Sequence, residues 1–113
     1  MRIFTDNTGE LYVNAISETS DGRDVEGHLY YIQAGLNQSK IEFQLGPITE
    51  TEVNGLTSES LLTILIHRTE YLDSKFGCDE NKLAIQHMKD ALINFELRTS
   101  KRISRGVEGK NLE

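Results

Sequence analysis

The chain has 113 residues, of which 37% are hydrophobic and 27% are charged, with a single proline. This balance is typical of a soluble globular protein with one domain, and it excludes a disordered chain. The formal net charge of −6 argues against a protein that binds long nucleic acids by neutralising their phosphates.

The sequence carries no signal for export or for membrane insertion. Residues 1–6 lack a secretory apolar region, and no run of about eighteen apolar residues occurs. The single cysteine, Cys78, excludes an internal disulfide framework and a metal site built from several cysteines. We therefore expect a cytoplasmic protein without membrane contact, in which Cys78 is a small buried residue.

Residues 1–53 predict an antiparallel β-meander, because short turns join segments with strand-like patterns. In the clearest segment, Ile41, Phe43 and Leu45 alternate with Glu42 and Gln44, as in a half-buried strand. The expected strands are Arg2–Thr5, Leu11–Ser17, His28–Ala34, Ile41–Leu45 and an edge strand at Ile48–Val53, and the expected connections include a polar loop at Thr19–Gly27 and a turn at Gly35–Ser39.

From Thr57 onward the sequence predicts two helices joined by a short turn. Thr57 suits the N-cap of the first helix, and Gly77 suits the left-handed position that ends it. The second helix is expected to begin with Asp79 as its N-cap and to run to about Arg102, with Gly106 as its stop.

The predicted fold class is α+β, with an N-terminal antiparallel β-sheet (residues 1–53), a long two-helix antiparallel hairpin (57–105) and a polar tail (107–113) in one domain. Both helices carry more apolar residues than the single internal face of a hairpin can cover. In the second helix, three of them lie opposite the main apolar stripe: Leu83, Ile93 and Leu97. Either the strands or another copy of the chain must cover this surplus, and self-association is expected.

The end of the second helix carries four cations within eight residues: Arg98, Lys101, Arg102 and Arg105. Helical spacing places them on one arc, and arginine forks suit phosphate or carboxylate groups. Screening over about 8–10 Å lets such a cluster act despite the acidic net charge. The alternative is a solvated helix end, since cations are favourable at a helix C-terminus. The residues alone leave both interpretations open.

Two residues near the hairpin turn are candidates for ligand binding. The ring of Tyr71 can stack on a base, and the Asn81 amide suits a base edge or a ribose. The alternatives are a core tyrosine and an asparagine that helps to cap the helix. Seventeen positions, about 25 Å along one helix, separate Asn81 from Arg98. A small ligand that uses both must therefore lie between two chains.

Sequence patterns of catalytic sites are missing. The chain has no P-loop, no GxGxxG and no HExxH sequence, and its three histidines are not spaced as a metal site. Cys78 has no evident base partner. We therefore expect neither an enzyme nor a cofactor.

Four stretches stand in order along the second part of the chain: Phe43-Gln44-x-Gly46-Pro47, Val53-Asn54-Gly55-Leu56-Thr57, Cys78-x-Glu80-Asn81-x-x-Ala84-Ile85 and Arg98-Thr99-x-x-Arg102-x-x-Arg105-Gly106-Val107-Glu108-Gly109. Together they resemble the phage-encoded Thoeris anti-defence proteins of the first type, whose helical hairpin is shared with anti-CBASS cyclic-nucleotide sponges. The resemblance covers roughly residues 41–109 and is weak over residues 1–40. The hairpin turn departs from it, with Gly77 and Asp79 where relatives carry proline and arginine.

The resemblance implies a non-catalytic sponge that assembles as a homo-oligomer, with a hexamer expected. It would sequester cyclic ADP-ribose isomers made by bacterial TIR-domain sensors, and so keep the signal from its effector NADase in the infected host. Tyr71 would stack on adenine, Asn81 would be a polar contact, and Arg98 of a neighbouring chain would cover the other face of the base. Four residues would form a separate site for cyclic di- or trinucleotides: Thr99, Arg102, Arg105 and Gly106.

A function of another class also fits the residues. In this alternative the chain is a small oligomeric scaffold whose basic helix end binds an acidic partner protein, and it has no nucleotide ligand.

Overall fold

The computed structural model describes residues 1–46 and 52–104. The chain forms two compact units, a sheet unit from Met1 to Leu56 and a helical unit that begins at Thr57. A four-stranded antiparallel sheet followed by two helices confirms the predicted α+β class.

The sheet is a meander in which each strand pairs with the next along the chain, in the order β1-β2-β3-β4. The first two strands lie within one residue of their predicted bounds, because the turn between them is set by residues that are close in sequence. Asp6 accepts hydrogen bonds from the hydroxyl and the N–H of Thr8, which lower the pKa of its carboxyl. The strands are β1 (Arg2–Thr5), β2 (Leu11–Glu18), β3 (Asp24–Ala34) and β4 (Asn37–Glu42).

The third strand begins four residues earlier than predicted, at Asp24 instead of His28, so the expected loop Thr19–Gly27 is wrong at its end. The pairing of β2 with β3 shifts register just after Asp24. Gly27 has a φ of 79°, a left-handed conformation that costs little only for glycine. The glycine therefore forms part of an irregularity within the strand and does not end the loop.

The fourth strand also begins earlier than predicted. A two-residue turn, Gly35-Leu36, joins β3 to β4 and pairs Ala34 with Asn37, so the expected five-residue turn Gly35–Ser39 is wrong. Gly35 has a φ of 61°, which suits a hairpin turn with glycine at its first central position. The strand was hidden because its first four residues are polar and show no alternation.

The chain leaves the sheet after Glu42, so the predicted strand Ile41–Leu45 is wrong in its second half. Phe43 forms only an isolated parallel bridge with Leu56. The predicted edge strand Ile48–Val53 lies mostly outside the described residues, and its last two residues are not in a strand.

Two amide side chains, those of Gln44 and Asn54, form a clasp beyond β4. The Asn54 side chain accepts a hydrogen bond from the Leu45 N–H and donates one to the Leu45 carbonyl, both at 2.8 Å. The Gln44 side chain accepts from the Asn54 N–H at 2.9 Å and donates to the Glu52 carbonyl at 3.1 Å. The clasp therefore satisfies backbone groups that have no strand partner.

Gly55 permits a close approach of two backbone segments. Its φ is not in the left-handed region, but a Cβ at this position would lie 2.5 Å from the carbonyl carbon of Phe43 and 2.7 Å from the carbonyl oxygen of Glu42. With glycine in place, the Leu56 N–H donates to the Glu42 carbonyl at 2.8 Å. The stretch Val53-Asn54-Gly55-Leu56-Thr57, the second of the four that carry the resemblance, is thus explained in part by packing within the sheet unit.

Helix α1 (Ser58–Lys75) begins as predicted, with Thr57 as its N-cap. The Thr57 hydroxyl accepts from the Ser60 N–H at 3.1 Å, and the Ser60 hydroxyl accepts from the Thr57 N–H at 3.0 Å. This reciprocal pair is a capping box. The helix ends with Phe76 as C-cap, whose own N–H closes the last turn. Gly77 is not left-handed, so the predicted left-handed stop is wrong.

Helix α2 (Asp79–Ser104) has 26 residues and is about 39 Å long. Cys78 caps it, because the Cys78 carbonyl accepts from the Lys82 N–H at 3.2 Å and the Cys78 sulfur accepts from the Asn81 N–H at 3.4 Å. The predicted N-cap at Asp79 is therefore wrong by one residue.

The two helices face each other along matching seams. In α2, half-buried side chains recur at alternating spacings of four and three residues: Asn81, Ile85, Met88, Leu92, Phe95, Thr99 and Arg102. In α1, the same alternation connects residues that are buried or half-buried: Glu59, Leu62, Ile66, Thr69 and Asp73. The Thr99 hydroxyl donates to Glu59 Oε2 at 3.2 Å, which shows that the seams meet. Such spacing is typical of coiled-coil packing, and here polar residues lie at both ends.

Few apolar side chains of the described residues are buried. Within the described part of the chain, the buried ones are Val25, Leu29 and Ile66. On the helices, eight large apolar side chains are exposed: Ile64, Leu65, Tyr71, Phe76, Leu83, Ile93, Leu97 and Ile103. An apolar surface of this kind is typical of a region that another molecule covers. Neither helix, over its described residues, is long and apolar enough to cross a membrane.

Replacement of Gly55 by alanine is expected to lower the free energy of unfolding by about 1–3 kcal/mol, because the new Cβ overlaps the backbone of Phe43. Val53→Ala is the matched control. Val53 is 70% exposed, so its truncation should change the free energy by less than about 0.5 kcal/mol. Urea unfolding followed by circular dichroism measures both variants. Equal stability of the two would contradict the close approach at Gly55.

Candidate functional site

The candidate residues lie at the two ends of the hairpin. The turn end holds Tyr71, in the last turns of α1, and Asn81, in the first turn of α2. The open end holds Arg98 and Thr99, and Thr99 faces the start of α1 through its hydrogen bond to Glu59. One continuous helix separates Asn81 from Arg98 by about 25 Å. The structure therefore does not bring these two residues together within one chain.

Asp73 holds the turn end in place. Its Oδ1 accepts hydrogen bonds from the Cys78 N–H at 3.2 Å and from Lys82 Nζ at 3.3 Å. The Asp73 side chain is only 18% exposed, whereas that of Lys82 is 61% exposed. Sequence reasoning identified only a helix-end charge at Asp73, because its partners lie across the turn and no local pattern marks them.

Cys78 is exposed, so the prediction of a small buried residue is wrong. The reason is its position at the start of α2, where its sulfur accepts from the Asn81 N–H. A helix cap of this kind stays at the surface because it serves backbone groups at the end of the helix.

Tyr71 and Asn81 both offer groups that a ligand can use. The Tyr71 side chain is 58% exposed, so it is not a core residue of the free chain. Lys75 Nζ lies 5.6 Å from the centre of its ring, a cation–π contact that sequence reasoning missed although the spacing of four residues could have indicated it. Asn81 is half-buried at the end of the seam, and its side-chain amide has no hydrogen-bond partner among the residues described.

The open end presents one arginine that is available and two residues that are partly covered. Arg98 is exposed and forms no ion pair with any residue that the structure describes. Thr99 and Arg102 are half-buried on the seam. Two further predicted ligand residues, Arg105 and Gly106, lie outside the described residues, as does the predicted tail 107–113.

The sheet unit contains a pocket of about 80 Å³ that is lined by residues of β3 and of the segment around the clasp. His28 Nδ1 is buried and has no hydrogen-bond partner in the described part of the chain, and Arg23 and Glu42 also line the pocket. Sites that enclose small ligands usually measure about 300–1,000 Å³. This pocket is therefore too small to enclose a nucleotide within one chain. Among the residues described, no group of three or more His, Cys, Asp or Glu side chains is placed to hold a metal ion.

A comparison with known proteins adds a sequence relationship to this geometry. A curated protein named "Thoeris anti-defense 1", from Bacillus phage SBSphiJ7, is 44% identical to this chain over 70 residues. The matched stretch covers 61% of this chain and 49% of that protein, so the chain spans about half the length of the curated relative it matches. No protein-family model matches the chain. The resemblance predicted from the four motifs is therefore confirmed, since the chain is similar to a phage protein named for Thoeris anti-defence of the first type.

Proposed function

We propose that the chain is a non-catalytic sponge that binds and sequesters cyclic ADP-ribose-type signals, and thereby blocks Thoeris anti-phage defence inside an infected bacterium. The relationship to a phage protein named for Thoeris anti-defence supports this setting. The observation that carries the mechanism is the distribution of available groups on the hairpin. Tyr71 and Asn81 are available at the turn end, and Arg98 is available at the open end.

The binding site is shared between chains of a homo-oligomer, with a hexamer as the expected assembly. The separation of about 25 Å along α2 prevents one small ligand from reaching both Asn81 and Arg98 of the same chain. The exposed apolar side chains of both helices support assembly, because their burial between copies would remove them from water.

Each residue of the shared site has its own task. Tyr71 stacks on the adenine ring, and Asn81 of the same chain bonds to the base edge or the ribose. Arg98 of a neighbouring chain covers the opposite face of the base and pairs with a phosphate. The base displaces Lys75 from the Tyr71 ring. No bond is made or broken in the signal, and the effector is deprived of it because its free concentration falls.

A second site for cyclic di- or trinucleotides is proposed at the open end, formed by Thr99, Arg102, Arg105 and Gly106. In the free chain the Thr99 hydroxyl already donates to Glu59. A phosphate of the ligand must therefore displace the Glu59 carboxylate before it can accept a hydrogen bond from the Thr99 hydroxyl. This competition predicts weaker binding at the second site than at the first, because the displaced hydrogen bond to a charged group has to be given up.

An oligomeric scaffold without a nucleotide ligand is the alternative function. The exposed cations Arg98 and Lys101 at the end of α2 favour an acidic partner protein in this case. The two functions differ in one measurable property, since a scaffold binds no cyclic ADP-ribose isomer and no cyclic trinucleotide.

Calorimetric titration of the purified chain with a cyclic ADP-ribose isomer should give about one ligand per chain, on an oligomer whose mass is checked by light scattering. Arg98→Ala should weaken binding about ten- to a hundredfold, because hydrogen bonds to charged groups contribute about 1.5–3 kcal/mol. Tyr71→Ala should weaken binding about as much, because stacking on one base contributes about 1–3 kcal/mol. Arg68→Ala is the matched control. Arg68 is also an exposed arginine, and no ion pair joins it to a described residue.

Unchanged affinity in both Tyr71→Ala and Arg98→Ala would show that the site lies elsewhere. An oligomer that binds neither cyclic ADP-ribose isomers nor cyclic trinucleotides would support the scaffold.

The ligand is expected to be chemically intact when it is released from the protein, because a sponge does no chemistry on it. The complex is heated until the protein unfolds, and the released compound is identified by liquid chromatography and mass spectrometry. Recovery of a hydrolysed product would contradict the sponge and would indicate an enzyme.

Cys78 serves as a reporter of the turn end because it is exposed and lies one helical turn before Asn81. A bound cyclic ADP-ribose isomer should slow the reaction of Cys78 with iodoacetamide, measured by intact-protein mass spectrometry. In the Arg98→Ala variant the thiol is unaltered but binding is weak, so the same ligand concentration should give little protection. Tight binding without any protection of Cys78 would place the ligand away from the turn.

A further inference from the structure

We propose that Asp73 is a positioning residue that fixes Asn81 for contact with the nucleotide, a role that rests on the proposed function. Two hydrogen bonds link them in series. Asp73 Oδ1 accepts from the Cys78 N–H at 3.2 Å, and Cys78 Sγ accepts from the Asn81 N–H at 3.4 Å. Asp73 therefore acts on the site through Cys78, without touching the ligand.

The bond to Cys78 matters more than the ion pair to Lys82, although both end on the same oxygen of Asp73. The Lys82 side chain is 61% exposed, and ion pairs with such exposure contribute little because water and salt screen them. The Cys78 N–H, by contrast, belongs to the residue that starts α2. Its bond to Asp73 fixes where the helix begins, and so fixes the direction of the first turn that carries Asn81.

The turn leaves little room for a side chain at position 77. A Cβ at Gly77 would lie 3.3 Å from the Asp73 carbonyl oxygen, 3.3 Å from Lys82 Nζ and 3.7 Å from Asp73 Oδ1. A side chain at position 77 would therefore crowd Asp73 and Lys82. The absence of a side chain at position 77 thus matters through space and not through a left-handed conformation, since Gly77 has no positive φ.

Three variants of the full chain separate two properties of the Asp73 carboxylate: its oxygen that accepts a hydrogen bond from the Cys78 N–H, and its negative charge. Asp73→Ala removes both, whereas Asp73→Asn keeps an oxygen that can accept from the Cys78 N–H and removes the charge. Glu70→Gln is the matched control, because Glu70 pairs with Lys89 at 3.1 Å across the same two helices, one helical turn before Asp73 and without contact to Cys78, with both side chains about half exposed.

Calorimetric titration with a cyclic ADP-ribose isomer should show binding about tenfold weaker in Asp73→Ala, and changes below about threefold in Asp73→Asn and Glu70→Gln, given the usual contribution of single hydrogen bonds. The oligomer mass and the thermal midpoint are recorded for every variant. Wild-type affinity in Asp73→Ala would overturn the proposal, and so would an equal loss in Asp73→Asn, since the acceptor is then not what matters.

A measurement without ligand tests the hydrogen-bond series by itself. Amide hydrogen exchange followed by nuclear magnetic resonance should be faster at Cys78 and Asn81 in Asp73→Ala than in the wild type, and unchanged there in Glu70→Gln. Unchanged exchange in Asp73→Ala would overturn the series even if the nucleotide binds. If the exchange result holds but the wild type binds no cyclic ADP-ribose, the positioning role towards a nucleotide is overturned together with the proposed function.

Discussion

Packing of α1 against α2 along one seam constrains the rest of the helical unit. The middle of the seam is apolar, and its ends are closed by two polar contacts, Glu59 with Thr99 and Asp73 with Cys78. A slip of the helices in either direction would place one of these carboxylates against an apolar neighbour, where an unpaired charge is costly. The polar ends therefore fix the register of the hairpin, and with it the rigid separation of the two groups of candidate ligand residues.

This separation is the reason why the proposed ligand site has to be shared between chains. A rigid hairpin that carries an aromatic ring and an amide at one end, and an arginine at the other, is an incomplete site as a single chain. In the proposed site, Tyr71 and Arg98 would meet around one base only when copies pack side by side. Under this arrangement the ligand would stabilise the assembly as much as the assembly stabilises the bound ligand, because the same free energy connects both equilibria.

Local signals made most of the fold predictable. The Thr57 cap, the helical periodicity and the Asp6 turn depend on neighbours in sequence, and the elements that follow from them lie close to their predicted bounds. The misses have a different cause: β4 is set by pairing with β3, and the turn end is set by Asp73 across the hairpin. In the candidate site, residue chemistry selected Arg98 as one of four clustered cations, whereas Thr99 was indicated by the family resemblance. Only the structure shows that Arg98 forms no ion pair with the described residues, whereas Thr99 is already bonded to Glu59.

The scarcity of buried apolar side chains has a consequence for how such a protein works in a cell. With three of them in the described part of the chain, a single copy has little to offset the loss of conformational entropy on folding. If copies supply the missing core to one another, folding and association become a single equilibrium that depends on protein concentration. Under the proposed function, the protein acts by stoichiometry and must be abundant to succeed. In this protein, abundance would also be the condition that keeps each copy folded.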